Sequence, residues 1–518
     1  MKRVMMVVVL ALVMLSLPVL AQPGRPGGIL KAAMQTNPPT LDPHLSTNVV
    51  VRQVAPYVFE TLVVYGEEYD IIPQLAESWE ISSDGLVYIF YLRAGVRFHN
   101  GKTLTADDVV ASLERYFAYS PGGGRFAGIV ESVTALNPLT VEIRVKEPTL
   151  LLVTLAIPDP FLAIYPAEII RGRQAEVRGS DLIGTGPYRF AEWRPDVHVR
   201  LVRFAEYTAD ERFSGPSGLG GRRTAYFEEI QFIPVLEQAA RLAGLLTGEF
   251  DYAESLPITA YEQLLRNPDV VPNVLKPRWA LVLELNQSEP PMDNVLFRRA
   301  LIAALGMEDV LRAVTFGNPA FYRTQPGFFF PEQAVWHTDA GAEGYNKKDL
   351  AEVRRLLAEA GYNFEPIIFL SNRDYDWMYK CTLAVASQLQ QAGINVIVEF
   401  SDWPSQIQRA LTQKGWHINQ TGWSPRLDPI QLATSLKCGA PYAYMYCNPE
   451  VDRLLSELSR DRPVEERQRI FHELQRYMWE DVAVLRIGDF FTLEGTNARL
   501  RGYTPWYVIP RFWDCWKE

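Results

Sequence analysis

The stretch that decides the fold is "LAESWEISSDGLVYIFYLRAGVRFHNGKTLTADDVVASLERY", residues 75–116. The turn-forming Ser-Ser-Asp-Gly sits between two runs that are rich in β-forming residues. After it, Leu86, Tyr88, Phe90 and Leu92 occupy alternate positions. This period of two predicts a β-hairpin with one buried face.

A helix is predicted directly after the hairpin. Thr105 suits the N-cap position and Asp108 follows it by three residues, which is the spacing of a capping box. Val109, Leu113 and Phe117 then form one apolar face. Further alternating runs, "LTVEIRVKEP" and "DVHVRLVRF", predict more strands in the first half of the chain.

The second half alternates between helical and strand patterns, which is typical of helices packed on a buried sheet. A helix is predicted from an Asn346 cap to a Gly361 terminator. Another precedes Gly393, and a β-branched strand begins at Ile394. Asn448 is the predicted cap of a later helix. A chain of 518 residues is too long to fold around a single hydrophobic core, so we expect two or three lobes.

The N-terminus has the layout of a cleaved signal peptide, predicted as residues 1–21. Lys2 and Arg3 precede an apolar run that ends at Ala21. A membrane anchor is the alternative, because the run approaches the length of a span. Since no Cys lies near the cleavage point, we expect a periplasmic protein without a lipid anchor. Cleavage leaves 49 basic against 61 acidic residues, a net charge of −12, which disfavours nucleic acid as a partner.

Four cysteines are present in an exported chain, where disulfides are common. Cys438 and Cys447 enclose a short loop, and we predict a disulfide between them. Cys381 lies on a helical pattern and is expected to be a buried thiol, while the state of Cys515 stays open. The six His are scattered singly, so no zinc site, other metal site or cofactor is predicted.

No catalytic motif is present: the chain lacks G-x-S-x-G, H-E-x-x-H and a Walker A sequence. A glycosidase needs only two carboxylates, and a candidate pair can be chosen anywhere among 61 acidic residues. Such a pair is therefore no evidence for a glycosidase. We therefore expect a binding protein, with no catalytic residues.

Residues 75–116 resemble the signature of the family 5 extracellular solute-binding proteins, the oligopeptide-, dipeptide- and nickel-binding components of ABC importers. "PPTLDPHLSTN" (38–48), "IGTGPYRFAEW" (183–193) and "LELNQSEPPMDNVLFRRALIAALGMEDVL" (283–311) also fit that family in order, as do "YCNPEVDRLL" and "FWDCWKE". The resemblance covers roughly residues 28–518.

The resemblance implies an α/β, periplasmic-binding-protein-like fold with a two-lobed cleft and an additional inserted domain, of type II and cluster C-like. Lobe I would combine residues 28–53, 183–277 and 485–518. The inserted domain would span 54–182, and lobe III 278–484. A ligand would be enclosed between lobes I and III by hinge closure.

Candidate ligand-binding residues come from the same resemblance. Trp423 and Trp403 align with aromatic residues near the ligand in peptide-binding members, although both could equally be core residues. Those members carry an Asp three residues after the Trp that matches Trp423, and this Asp pairs with the peptide's α-ammonium. In this sequence Arg426 occupies that position, and the loop is one residue shorter. Arg suits a carboxylate or phosphate. Asp428 could recover the ammonium role, or the two charges could pair with each other or with neighbours.

Five further candidates are less specific. Ser46, Thr47 and Asn48 follow "LDPH" where relatives line the cleft, and they could instead cap the loop. Trp279 and Asn286 are expected to flank the crossing into lobe III, where Asn286 could satisfy backbone groups instead of ligand.

These features predict a monomeric periplasmic solute-binding protein that carries a peptide or peptide-like ligand to an ABC permease. The Arg426 exchange favours an anionic ligand, such as a γ-linked peptide. Oligosaccharides, opines and metal chelates remain alternatives, as does a sensor that does not transport.

Overall fold

The computed structural model describes residues 26–121, 123, 128–158, 161–412, 414–440 and 445–518. The predicted signal peptide, residues 1–21, lies outside them.

The strands in chain order are β1 Ile29–Met34, β2 Val63–Tyr65, β3 Ile71–Pro73, β4 Ala76–Ile81, β5 Val87–Leu92, β6 Val130–Asn137, β7 Thr140–Val145, β8 Tyr188–Arg194, β9 His198–Arg203, β10 Pro216–Ser217, β11 Gly220–Gly221, β12 Glu229–Pro234, β13 Tyr252–Leu256, β14 Val270–Leu285, β15 Tyr322–Arg323, β16 Ile367–Asn372, β17 Val396–Ser401, β18 Ile418–Trp423, β19 Val484–Asn497, β20 Leu500–Arg501 and β21 Trp516–Lys517. The helices are α1 Val49–Val58, α2 Ala106–Tyr119, α3 Leu151–Ala156, α4 Ala167–Ile170, α5 Gln238–Thr247, α6 Tyr261–Leu265, α7 Val295–Ala304, α8 Met307–Val314, α9 Leu350–Glu359, α10 Asp376–Gln391, α11 Trp403–Leu411, α12 Ala433–Leu436, α13 Pro449–Leu458 and α14 Val464–Glu480.

The largest assembly is an 11-stranded sheet in the order β17-β16-β18-β14-β19-β13-β1-β12-β9-β8, with β15 beside β19. Its two halves are joined by the long strands β14 and β19, which pair with each other in antiparallel register. A separate four-stranded sheet, β4-β5-β7-β6, lies within residues 54–182. The predicted α/β class is confirmed.

The hairpin and helix predicted from residues 75–116 are both present. Strands β4 and β5 are antiparallel neighbours, and Tyr88, Phe90 and Leu92 are buried. At the start of α2, the Asp108 carboxylate accepts a hydrogen bond from the backbone N–H of Thr105 at 2.9 Å. The predicted capping box is therefore confirmed.

One predicted cap is wrong. The helix assigned to an Asn346 cap begins later, and Asp349 caps it by accepting from the N–H groups of Ala351 and Glu352. Asn346 instead has a positive φ of 59° and accepts a hydrogen bond from the N–H of Glu308. Asn346 and Asp349 both suit an N-cap and lie three positions apart. Because the hydrogen bond from Glu308 engages Asn346, Asp349 caps the helix.

Two large apolar cores divide the chain. The first joins the inner strands around β1 to the four-stranded sheet and to the C-terminal segment, whose Trp513 is buried. The second is built from residues 280–490, including Phe369 and Phe471. A smaller cluster that contains Phe250 and Leu493 lies at the crossing strands. The molecule therefore has two packed halves that meet where β14 and β19 cross.

Candidate ligand-binding site

The parallel strands of the two halves of the sheet have their carboxyl ends along one line, where the two halves meet. We call this line, between the end of β18 and the end of β13, the seam. In one half β16 runs parallel to β17 and β18, and in the other β1 runs parallel to β12 and β13. Trp423, at the end of β18, pairs with Ala280, and Leu256, at the end of β13, pairs with Leu493. Small ligands of α/β proteins bind outside such carboxyl ends, so this seam is the candidate site.

A row of aromatic side chains lines the seam on the side of the second core. Trp279 stacks on Trp377 with ring centroids 6.1 Å apart. Tyr375 lies 6.1 Å from Trp377 and 5.7 Å from Trp403. Tyr375 is 38% exposed, and the three tryptophans are half-buried. We call these four residues the aromatic row. It offers a large contact area that tolerates varied ligand side chains.

The sequence named Trp279 and Trp403 as candidates, and the structure places two residues that it did not name, Trp377 and Tyr375, between them in the row. Trp377 and Tyr375 lie at the start of α10, directly after the carboxyl end of β16. A signal was present, because "DYDW" places two aromatic residues at the start of the helix predicted before Gly393. Gly422 allows the row to form: a Cβ there would lie 2.7 Å from the Trp377 indole.

Trp423 is held in place and largely buried. It is 9% exposed and belongs to the second core. Its Nε1–H donates to Glu284 at 3.1 Å. The Arg426 guanidinium lies over its indole at 4.4 Å, a cation–π contact. That guanidinium also donates to the Gln431 carbonyl at 2.6 Å and to the Ser435 hydroxyl at 3.2 Å.

Asp428 is buried and forms an ion pair outside the loop. Arg467 donates to its carboxylate at 2.7 Å, and the N–H of Ile430 donates at 2.9 Å. Asp428 thus caps the 3₁₀ turn Pro429–Leu432. Each of the two loop charges contacts neighbours of its own: Arg426 contacts Trp423 and Gln431, and Asp428 contacts Arg467. Ligand contacts of Arg426 and Asp428 stay predictions.

A chain of buried polar side chains runs beneath the aromatic row. Asn419 donates to Glu284 at 2.9 Å, Gln406 donates to Asn419 at 2.7 Å, and Asn372 donates to Gln406 at 2.7 Å. The Asn372 oxygen then accepts from the backbone N–H of Tyr375 at 3.0 Å. Because buried polar groups need partners, this chain fixes the loops that carry Trp423 and Tyr375 relative to each other.

Ser46, Thr47 and Asn48 form the turn before α1. The Ser46 hydroxyl accepts from the N–H of Asn48 at 3.1 Å. The Asn48 side chain accepts from the N–H of Val50 at 2.9 Å and caps the helix. Thr47 is exposed. The local capping roles account for Ser46 and Asn48, and ligand contact by all three stays a prediction.

The structure separates Asn286 from Trp279. Trp279 pairs with Phe490 in the middle of the crossing. Asn286 follows the far end of β14, about 23 Å further at 3.3 Å per residue. It is fully buried and donates to the Trp416 carbonyl at 3.0 Å. Asn286 therefore lies away from the crossing and satisfies a backbone carbonyl, which agrees with the alternative role predicted for it, while ligand contact by Trp279 stays a prediction.

The seam also contains buried charges. Arg278 is 3% exposed, and its guanidinium lies 4.7 Å from the centroid of the Trp279 ring. Glu254 accepts from the N–H of Gln35 at 2.6 Å and from the Gln53 amide at 2.9 Å.

A second buried carboxyl, Glu494, lies on β19. Tyr252 and Tyr503 donate to it at 2.8 and 2.7 Å. Burial raises the pKa of Glu494 to about 7, against the lowering effect of these two hydroxyls.

The loop after β18 reaches across the seam. The Tyr507 hydroxyl, from the C-terminal segment, donates to the Pro425 carbonyl at 2.9 Å. Leu427 is 1% exposed and packs in the first core, although Trp423 belongs to the second. We call residues 424–428 the bridging loop, because it ties the two halves together.

The predicted disulfide between Cys438 and Cys447 is confirmed. Cys381 and Cys515 are buried free thiols. Burial raises the pKa of Cys381 to about 12, so this thiol is unreactive. Within the described ranges, none of the helices combines the length and apolar character that crossing a membrane requires.

Comparisons with known proteins agree on one family. A family model described as "Bacterial extracellular solute-binding proteins, family 5 Middle" matches residues 70–440. The chain is 26% identical over 498 residues to the probable peptide ABC transporter periplasmic-binding protein y4tO of Sinorhizobium fredii, covering 92% of this chain and 91% of that protein. It is 26% identical over 492 residues to the glutathione-binding protein GsiB of Pectobacterium atrosepticum, covering 91% and 90%.

A solved structure shares the fold. The ABC transporter-associated periplasmic binding protein DppA from Helicobacter pylori, in complex with the peptide STSA, superposes with a TM-score of 0.79 at 24% identity. The match covers 95% of this chain and 99% of that one.

Proposed function

Because the chain belongs to the bacterial extracellular solute-binding proteins of family 5, we propose that it is the periplasmic binding component of an ABC importer. It captures a peptide or peptide-like ligand between its two halves and delivers it to a membrane permease, without covalent chemistry. A signal peptide of residues 1–21 directs its export, and it acts as a monomer. Lobe I comprises 28–53, 183–277 and 485–518, the inserted domain 54–182 and lobe III 278–484, with the crossing strands shared by both lobes.

The aromatic row at the carboxyl ends of β16 and β17 is the observation that carries the proposal. Flat aromatic surfaces bind main chain and varied side chains without selecting one sequence. The bridging loop then closes over the ligand, and closure excludes water and strengthens polar contacts in the seam. The relatives named for peptide and for glutathione support a ligand of this class.

Native mass spectrometry of protein purified without refolding tests the proposal, because a closed seam retains its ligand. Thermal-shift assays with di- to pentapeptides and with glutathione follow. A ligand at a hundredfold excess over its Kd stabilises the folded protein by about 2.7 kcal/mol. A retained sugar or metal chelate, with no shift from any peptide, would contradict the proposal.

The role of the bridging-loop Arg is tested separately. If Arg426 binds an anionic ligand group, Arg426→Ala weakens affinity for the hits by about tenfold, which is 1.4 kcal/mol. Unchanged affinity for every hit assigns Arg426 to holding Trp423 and the loop.

A further inference from the structure

We propose that Arg278 holds a carboxylate of the ligand in the seam, so that the protein selects ligands with a free acid group. This inference rests on the proposed function and names a chemical feature that the ligand must carry.

The first support is the hydrogen-bonding state of Arg278. The side chain is 3% exposed, yet its Nε and Nη1 have no hydrogen-bond partner among the described residues. Its guanidinium lies against the face of Trp279, at one end of the aromatic row. A guanidinium cannot lose its charge in a protein. Burying it without an anion is therefore costly, and a ligand carboxylate removes that cost.

The second support is that the nearby carboxylates are already engaged. Glu254 and Glu494 lie within electrostatic reach of Arg278, as do Tyr252 and a second cation, Arg52. However, Glu254 accepts hydrogen bonds from Gln35 and Gln53, and Glu494 accepts them from two tyrosines. These acids attract the guanidinium without bonding to it, so Nε and Nη1 have no acceptor among the described residues and are available to a ligand.

A neighbouring arginine shows what a structural guanidinium looks like in this fold. Arg241 is 2% exposed and donates to the carbonyls of Val235, Leu236, Glu254 and Ser255. It joins the carboxyl ends of β12 and β13, and no ligand is needed to satisfy it. Arg278 is equally buried but lacks such acceptors, so the two arginines have different roles.

The test compares wild type, Arg278→Met and a control, Lys276→Met, which removes the same charge from an exposed site two residues away. Methionine retains an unbranched stem against Trp279. The probes are the peptides that bind wild type, each as the free acid, as the C-terminal amide, and with acidic side chains changed to amides. The last two forms distinguish a terminal from a side-chain carboxylate.

We expect wild type and Lys276→Met to bind the free acid about tenfold or more tightly than one of the two amide forms. Arg278→Met should bind the free acid and that amide form with equal affinity. If Arg278→Met keeps the preference, the inference is overturned while peptide binding stands. If no peptide binds wild type, the proposed function fails, and the ligand retained on purification is compared with its methyl ester instead.

Ligand-free stability gives a second, independent measurement. Arg278→Met should melt at or above the wild-type temperature, because its buried Nε and Nη1 make no hydrogen bond to the described residues, whereas Arg241→Met loses four hydrogen bonds and should melt well below it. A large fall in melting temperature for Arg278→Met would assign it a structural role and overturn the inference.

Discussion

Leu427→Ala tests closure between the halves most directly. Leu427 follows β18, yet its side chain packs in the first core and is 1% exposed. The substitution removes about three methylene equivalents, worth about 2.4 kcal/mol at ~0.8 kcal/mol per buried CH₂. If the halves separate without ligand, this contact exists only in the closed state.

The loss then falls on the closing equilibrium rather than on the folding of either half. At 1.4 kcal/mol per tenfold, the apparent Kd should rise about 50-fold. Isothermal titration calorimetry with the ligand identified by native mass spectrometry measures the Kd. Small-angle X-ray scattering, with and without that ligand, measures the compaction.

Leu436→Ala is the matched control. Leu436 is fully buried within the second core and makes its contacts inside one half. It should lower the melting temperature and leave the Kd within about threefold of wild type. If Leu427→Ala behaves in the same way, the bridging loop is a fixed part of the fold and the closure argument is wrong.

Three other predictions follow. Gly422→Ala places a Cβ 2.7 Å from the Trp377 indole, so we expect the indole to move, the tryptophan emission maximum to shift and ligand binding to weaken. Changing both Cys438 and Cys447 to Ser opens a loop with a sequence separation of 9, and should lower the free energy of unfolding by about 2–3 kcal/mol in urea titrations. Glu494, whose folded-state pKa is about 7, contributes stability below its unfolded pKa of about 4.3 that is lost as pH rises through 7. The free energy of unfolding of Glu494→Gln, relative to that of wild type, should therefore rise by about 3 kcal/mol from pH 4 to pH 8.

Each of these has an outcome that contradicts it. Gly215→Ala, where a Cβ meets nothing within 4 Å, is the control for Gly422→Ala, and equal fluorescence in both variants would mean that the row tolerates the methyl group. A reductant that leaves the wild-type melting temperature unchanged would exclude a stabilising disulfide. For Glu494→Gln, a pH profile parallel to wild type would show that this carboxyl titrates normally.

Local signals allowed much of the fold to be predicted from sequence. The capping box at Thr105 and the cap at Asn448 depend on a few consecutive residues, and both are present. The Asn346 cap failed because Asp349 competes for the same helix and a distant N–H engages Asn346. That choice depends on a tertiary contact, which propensity does not contain.

The site was less predictable, since it depends on strand order and on partners far along the chain. Asp428 pairs with Arg467, 39 residues later, and no local pattern predicts that contact. Trp377 reaches Trp279 only because β18 lies between β14 and β16 in the sheet. Counting residues along β14 would have placed Asn286 outside the seam, because a strand advances by a fixed length per residue.

The sequence "GWSPRLDP" concentrates charge where ligand recognition was expected, and the structure shows contacts that these charges make within the chain. Arg426 covers Trp423 and Asp428 pairs with Arg467, so both support the shape of the loop. The parts that cross to the other half are the apolar Leu427 and a backbone carbonyl. Neither of these two crossing groups carries a charge, so selection by charge depends on charged side chains: Arg426, whose ligand contact stays a prediction, and Arg278. Arg278 carries such a charge, is buried on a strand shared by both halves, and has no acceptor for its Nε and Nη1 among the described residues. Closure and charge selection are thus separable, and variants of Leu427 and Arg278 should change affinity independently, with additive free energies.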